Sequence, residues 1–120
     1  MLYTASVFDL KEINSKMKVY YLMKNYGNNV VVPDQADLDY YRNGILTWEG
    51  FKINYLAKIY KKEANEWMKK VSKEAVSKDI VLVDEEKDEN HSCRKILAEL
   101  MKNMYTGKFN FKYVGEITTL

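Results

Sequence analysis

The chain reads as one α/β domain spanning residues 1–120, and three observations predict it. Short runs rich in β-forming residues alternate along the chain with segments of helical periodicity. One run, Ile80-Val81-Leu82-Val83, is apolar at every position, as a strand buried on both faces must be. The length of 120 residues suits one hydrophobic core. Interleaved elements of this kind predict a mixed or mostly parallel sheet flanked by helices, in Rossmann-like layers.

Leu2 to Phe8 predicts the first strand. Asp9-Leu10-Lys11-Glu12 has the form of a capping box and predicts a short helix carrying Leu10, Ile13 and Met17. Val19 to Met23 predicts a second strand. Gly27-Asn28-Asn29 predicts a turn, and Val30-Val31-Val32 a short extended piece stopped by Pro33. Pro33 to Gly44 is polar and closes on the turn dipeptide Asn43-Gly44, which predicts an irregular loop. Thr47 is the expected N-cap of a helix with Trp48, Phe51, Tyr55, Leu56 and Ile59 on one face. The pattern slips phase near Lys61-Lys62 and resumes with Ala64, Trp67, Met68, Val71 and Ala75, giving two helices or one bent one. After the apolar run and an acidic connector, Cys93, Ile96, Leu97, Leu100, Met101 and Met104 form the clearest amphipathic stripe, with Gly107 as its expected stop. Phe109, Phe111 and Tyr113 alternate with polar residues and predict a last strand.

The charge balance narrows the function classes. Basic residues number 19 and acids 17, a net charge of +2, and lysines alternate with glutamates along residues 58–74. That is an ion-paired solvated surface rather than a nucleic-acid face, so nucleic acid is an unlikely partner. The start of the chain shows no basic and apolar leader, and no run nears the ~20 residues that span a bilayer, so a cytoplasmic protein is expected. Cys93 is the sole cysteine, which excludes an internal disulfide.

Two stretches resemble a known family. They are Thr47-Trp48-Glu49-Gly50-Phe51-Lys52-Ile53-Asn54-Tyr55-Leu56 and the run from Asp79 to Arg94. Both look like the domain-of-unknown-function 488 family, best from about Leu38 to Leu100. The resemblance implies an α/β fold and an uncharacterised function. Many members carry a cysteine where this chain has Asp84, and Cys-His-Arg where it has Ser92-Cys93-Arg94; Glu86 and Arg94 follow the family pattern.

Chemistry is expected at Asp84 to Arg94. Ligands of open α/β sheets bind beyond the carboxyl ends of strands, beside helix N-termini. This connector holds the sole histidine, the sole cysteine and one of two arginines. Ser92, Cys93 and Arg94, with Arg42 from the long loop, are the expected ligand-binding residues. Arg94 would hold an anion. Glu86 and His91 are the candidates for acid–base work. Asp84, Glu86, Asp88 and His91 match no closed metal motif, so no metal site is expected. Cys93 lies in the apolar register, where a buried thiol is the commoner role than a nucleophile. The sequence leaves the cofactor unknown. The expected function is binding of a small anionic or nucleotide-like ligand at the junction of strand 80–83 and helix 92–106. The alternative is a non-catalytic interaction module that acts as a homodimer or with a partner protein. Whether the protein is an enzyme is left open by the sequence.

Overall fold

The structure, a computed structural model, describes residues 1–118. Four strands, β1 (Leu2–Ser6), β2 (Lys18–Tyr21), β3 (Ile80–Asp84) and β4 (Tyr113–Ile117), form one sheet in the order β2-β3-β1-β4. Every pairing is parallel. β3 is interior and buried at all of its positions, which is why its sequence is apolar without alternation.

Helices α1 (Gln35–Arg42), α2 (Trp48–Ile59), α3 (Lys62–Ser77) and α4 (Cys93–Tyr105) complete the fold. Leu2, Ile80 and Leu82 point to one sheet face and join the core made by α2, α3 and α4. Ala5, Val81 and Val83 point to the other. That second face is covered by a 3-10 segment, Val7–Glu12, and the residues after it, through Val7, Leu10, Ile13 and Met17. The α-helices therefore crowd one face, where the sequence suggested layers on both.

Local rules account for most element ends. Thr47 caps α2, its Oγ1 accepting from the Gly50 N–H at 3.1 Å. Between α2 and α3, Lys61 is extended, and the helical phase breaks there as the sequence predicts. The 3-10 segment is capped by Ser6, which accepts from the Phe8 N–H, and not by Asp9.

Four expectations need correction. Residues 33–44 are not a loop but contain α1. Asp34 stands at its N-cap, Asp37 in its first turn, and Leu38 is its buried anchor. Asn43-Gly44 is its stop: the Gly44 and Ile45 N–H groups donate to the Tyr41 and Tyr40 carbonyls at 3.1 and 2.8 Å, with Gly44 at φ +75°. That is a Schellman ending, and the same dipeptide marks a free turn equally well. Residues 30–32 are not extended. The Val31 and Val32 N–H groups both reach the Asn28 carbonyl, and the tight turn buries Val31 completely. The last strand starts at Tyr113. The chain turns at 105–111, where the Phe109 N–H donates to the Tyr105 carbonyl at 2.8 Å and Phe111 is buried in the core. Gly107 is not left-handed; α4 ends on Thr106, whose hydroxyl donates to the Lys102 carbonyl.

Gly27 follows from a close approach. A Cβ there would lie 1.9 Å from the Tyr21 carbonyl oxygen and 2.8 Å from a Val32 methyl. Gly27→Ala must push the end of β2 away from the 28–32 turn. We expect a loss of about 1–3 kcal/mol, read as a lower urea midpoint at unchanged slope.

Candidate functional site

Beyond the carboxyl ends of β2 and β3 lies a narrow cleft whose enclosed part is about 10 Å³, the room of one water, and which reaches about 290 Å³ only when its open mouth is counted. Its floor is Asp84 and Cys93. Tyr41, Trp48 and Phe51 form an aromatic wall, with Trp48 and Phe51 stacked at 5.4 Å between centroids and Tyr41 at 5.4 and 5.7 Å from them. Glu85, Glu86, Arg42 and His91 stand around it. The wall exists because α1 ends beside the start of α2, and the acids because the connector leaves β3 there.

Each expected site residue has a definite place. Arg42 and Glu86 meet at the cleft: Arg42 Nε and Nη2 donate to Glu86 Oε1 at 3.0 and 2.8 Å. The pair is partly open to solvent, 35% exposed at Arg42 and 25% at Glu86. His91 lies on the cleft, its ring 5.1 Å from that of Trp48 and its Nδ1 3.2 Å from Asp88 Oδ2. Cys93 is at the floor. Ser92 and Arg94 do not line the cleft. Ser92 is buried and its hydroxyl donates to the Glu89 carbonyl at 2.6 Å.

Arg94 is a core residue, its side chain 0% exposed. Nη1 donates to Asp84 Oδ1 and to the Glu86 carbonyl, the latter at 2.7 Å. Nε and Nη2 donate to the two carboxylate oxygens of Glu116. Asp84 is on β3 and Glu116 on β4, with β1 between them, so the guanidinium reaches across β1. Thr4 of β1 donates to the same Glu116 at 2.6 Å. Burial works against the charge, but Glu116 and Asp84 overcome it and hold the Arg94 pKa above its ordinary value. A guanidinium so engaged is not free to clamp a ligand anion, contrary to the sequence expectation.

Asp84 organises the helix start as well. Its Oδ2 accepts from the Arg94 N–H at 3.0 Å and from the Cys93 thiol at 3.1 Å, and its Oδ1 accepts from the Glu86 N–H at 3.1 Å. Burial, with the Asp84 charge behind it, pushes the Cys93 thiol well above its ordinary pKa. That is the setting of an inert thiol rather than a nucleophile. Tyr55, buried against the same group, donates to the Val31 carbonyl at 2.6 Å, and burial raises its pKa well above the ordinary value too. Among the described residues, no three histidine, cysteine, aspartate or glutamate side chains are grouped to hold a metal ion.

Sequence reasoning missed three contributors. Tyr41 and Trp48 are easily taken for a surface stack and a core residue, and only the position of α1 turns them toward a cleft. Glu116 gives no local sign that it pairs with a residue 22 positions earlier.

Fold and site together define a parallel α/β domain with an aromatic-walled, carboxylate-rich cleft at the carboxyl edge of its sheet. The chain belongs to the family described as Domain of unknown function DUF488, which matches residues 9–101. No curated protein and no solved structure matches it.

Substitution, pH and thiol labelling all test this chemistry. Arg94→Ala leaves two buried carboxylates without their cation and should cost about 3–5 kcal/mol in urea denaturation. Arg94→Lys should recover little, since one ammonium cannot fork between Asp84 and Glu116. Cys93 has a folded pKa raised above its unfolded value, so its contribution to stability is full below the unfolded pKa and lost as pH rises past it. Stability should fall above about pH 8.5, and Cys93→Ala should flatten part of that slope. A thiol reagent should leave Cys93 unmodified in the native protein at pH 8.

Proposed function

We propose that the protein binds a small, flat, ring-bearing molecule in the cleft between α1, the start of α2 and the β3–α4 connector. One observation carries this reading: an aromatic wall faces polar groups at the carboxyl edge of a parallel sheet, where α/β domains hold their ligands. A flat ring can lie across the open mouth of the cleft against Trp48 or Tyr41, while ring N–H groups can donate to the Glu85 and Glu86 carboxylates. Nucleobase-like rings fit this description. A phosphate group is poorly served, since Arg94 is enclosed and Arg42 is paired with Glu86. Should turnover of a bound molecule be found, Glu86 and His91 are the cleft residues we assign to proton transfer. We assign the protein to the cytoplasm, where a lone unpaired thiol is ordinary.

The test is a nitrogen-15 amide spectrum titrated with a panel of flat heteroaromatic fragments, nucleobases among them. Shifts grouped at Tyr41, Trp48, Glu86, His91 and Cys93, and abolished in Trp48→Ala, are the expected result. A panel that moves none of these amides removes the ligand reading and leaves the interaction module, acting as a homodimer or with a partner, in its place.

A further inference from the structure

We infer that the cleft selects a positively charged ligand, an ammonium or guanidinium attached to a ring, and that Arg42 is the chain's own occupant of the cation position. The inference rests on the ligand-binding reading of the same cleft and adds the sign of the ligand's charge.

The geometry points this way in three respects. First, the lining carries three carboxylates, Asp84, Glu85 and Glu86, against the single guanidinium of Arg42. Asp84 is balanced from behind by Arg94, and Arg42 balances Glu86. Glu85 is exposed, and neither a hydrogen bond nor an ion pair engages its side chain among the described residues. The net charge of the lining is negative. Second, the wall is aromatic. The faces of Trp and Tyr attract cations, and an indole does so best. Third, a cation already stands at the opening. The Arg42 guanidinium makes two hydrogen bonds to one Glu86 oxygen, at 3.0 and 2.8 Å, next to Tyr41. This pair is partly solvated, and exposed pairs of this kind hold weakly. An incoming cation with its ring on the wall can displace Arg42 from Glu86 and gain the stacking contact that Arg42 lacks.

Two residues of the lining, Tyr41 and Cys93, also lie close to these carboxylates. Tyr41 has its pKa raised by burial and then by the Glu86 and Asp88 charges. Cys93 is raised by burial and by Asp84, and the opposing effect of Arg94 does not reverse it. In both groups burial is the main cause, and the neighbouring carboxylate charges add to it.

Three probes with one ring and one tether length separate the possibilities: tryptamine (ammonium), tryptophol (neutral hydroxyl) and indole-3-propionate (carboxylate). Each is titrated into the full chain and followed through the amides of Tyr41, Glu86 and His91. Tryptamine should bind about tenfold tighter than tryptophol, with indole-3-propionate weakest. Arg42→Gln keeps the side-chain stem and removes the competing charge. It should tighten tryptamine further, whereas an arginine that served as a ligand arm would make the same variant bind its anion more weakly. Glu85→Gln should narrow the gap between tryptamine and tryptophol. Indole-3-propionate binding best, and weakening in Arg42→Gln, overturns the inference and makes Arg42 an anion arm in a valid site. Equal binding of all three also overturns it and leaves the site standing. Silence of all three, while other heteroaromatic fragments still move the cleft amides, overturns the charge inference alone. Silence of every fragment removes the site with it.

Discussion

The Arg94 guanidinium is the interaction on which the rest of this structure depends. It lies across β1, joining the carboxyl end of β3 through Asp84 to β4 through Glu116, and it also holds the backbone of the connector through the Glu86 carbonyl. Parallel strands share no hairpin, so the stagger of their ends must be fixed by tertiary contacts. Here one side chain does so for β3 and β4 at once, and Thr4 of β1 adds a hydrogen bond to the same Glu116. Enclosing charges costs several kcal/mol per ion, and only a well-formed, fully hydrogen-bonded pair offsets that cost. Two carboxylates and a backbone carbonyl meet that condition around the forked donors of an arginine; a lysine would not.

The cleft is a consequence of this arrangement. Asp84 is held by Arg94, and with its remaining capacity it accepts the N–H groups of Glu86 and Arg94 and the thiol of Cys93. The connector is therefore forced to leave β3 in one direction, and α4 to start at one angle. Glu86 then faces α1, where Arg42 meets it. Ser92, just before α4, turns inward to the Glu89 carbonyl. Three consecutive residues, Ser92, Cys93 and Arg94, look like one functional triplet in the sequence. Cys93 and Arg94 both turn in to Asp84, while Ser92, the extended N-cap residue before the helix, points elsewhere.

This geometry explains what was legible in the sequence. The parallel α/β class, the buried β3, the Thr47 cap and the break at Lys61 rest on local patterns, and they follow from residues that interact with near neighbours. The connector at 84–94 was identifiable because polar and reactive residue types gather at a strand exit. What was not legible depends on long-range packing. The tight turn at Val30–Val32 overrides the extended preference of three β-branched residues because Val31 has a core to enter and its carbonyl receives the Tyr55 hydroxyl. Helix α1 is short and polar, with Leu38 as its buried residue, so its periodic signal is faint. Its Schellman ending at Asn43-Gly44 shares its residues with ordinary turns. The aromatic wall was hidden for the same reason, since Tyr41 reaches Trp48 and Phe51 only once α1 exists.

The two arginines show how burial decides what an ion pair is for. Both are held by carboxylates of or beside the same connector. Arg94 is enclosed, engages two carboxylates and a carbonyl, and has no solvent to exchange them for; losing it leaves charges stranded in the core. Arg42 is a third exposed, engages one carboxylate, and can trade that contact for water at little cost. A permanent pair fixes geometry and a replaceable pair marks a binding position. The sequence shows two arginines and a cluster of acids without distinguishing these roles, because the difference lies in the strand order that places Glu116 beside one guanidinium and open solvent beside the other.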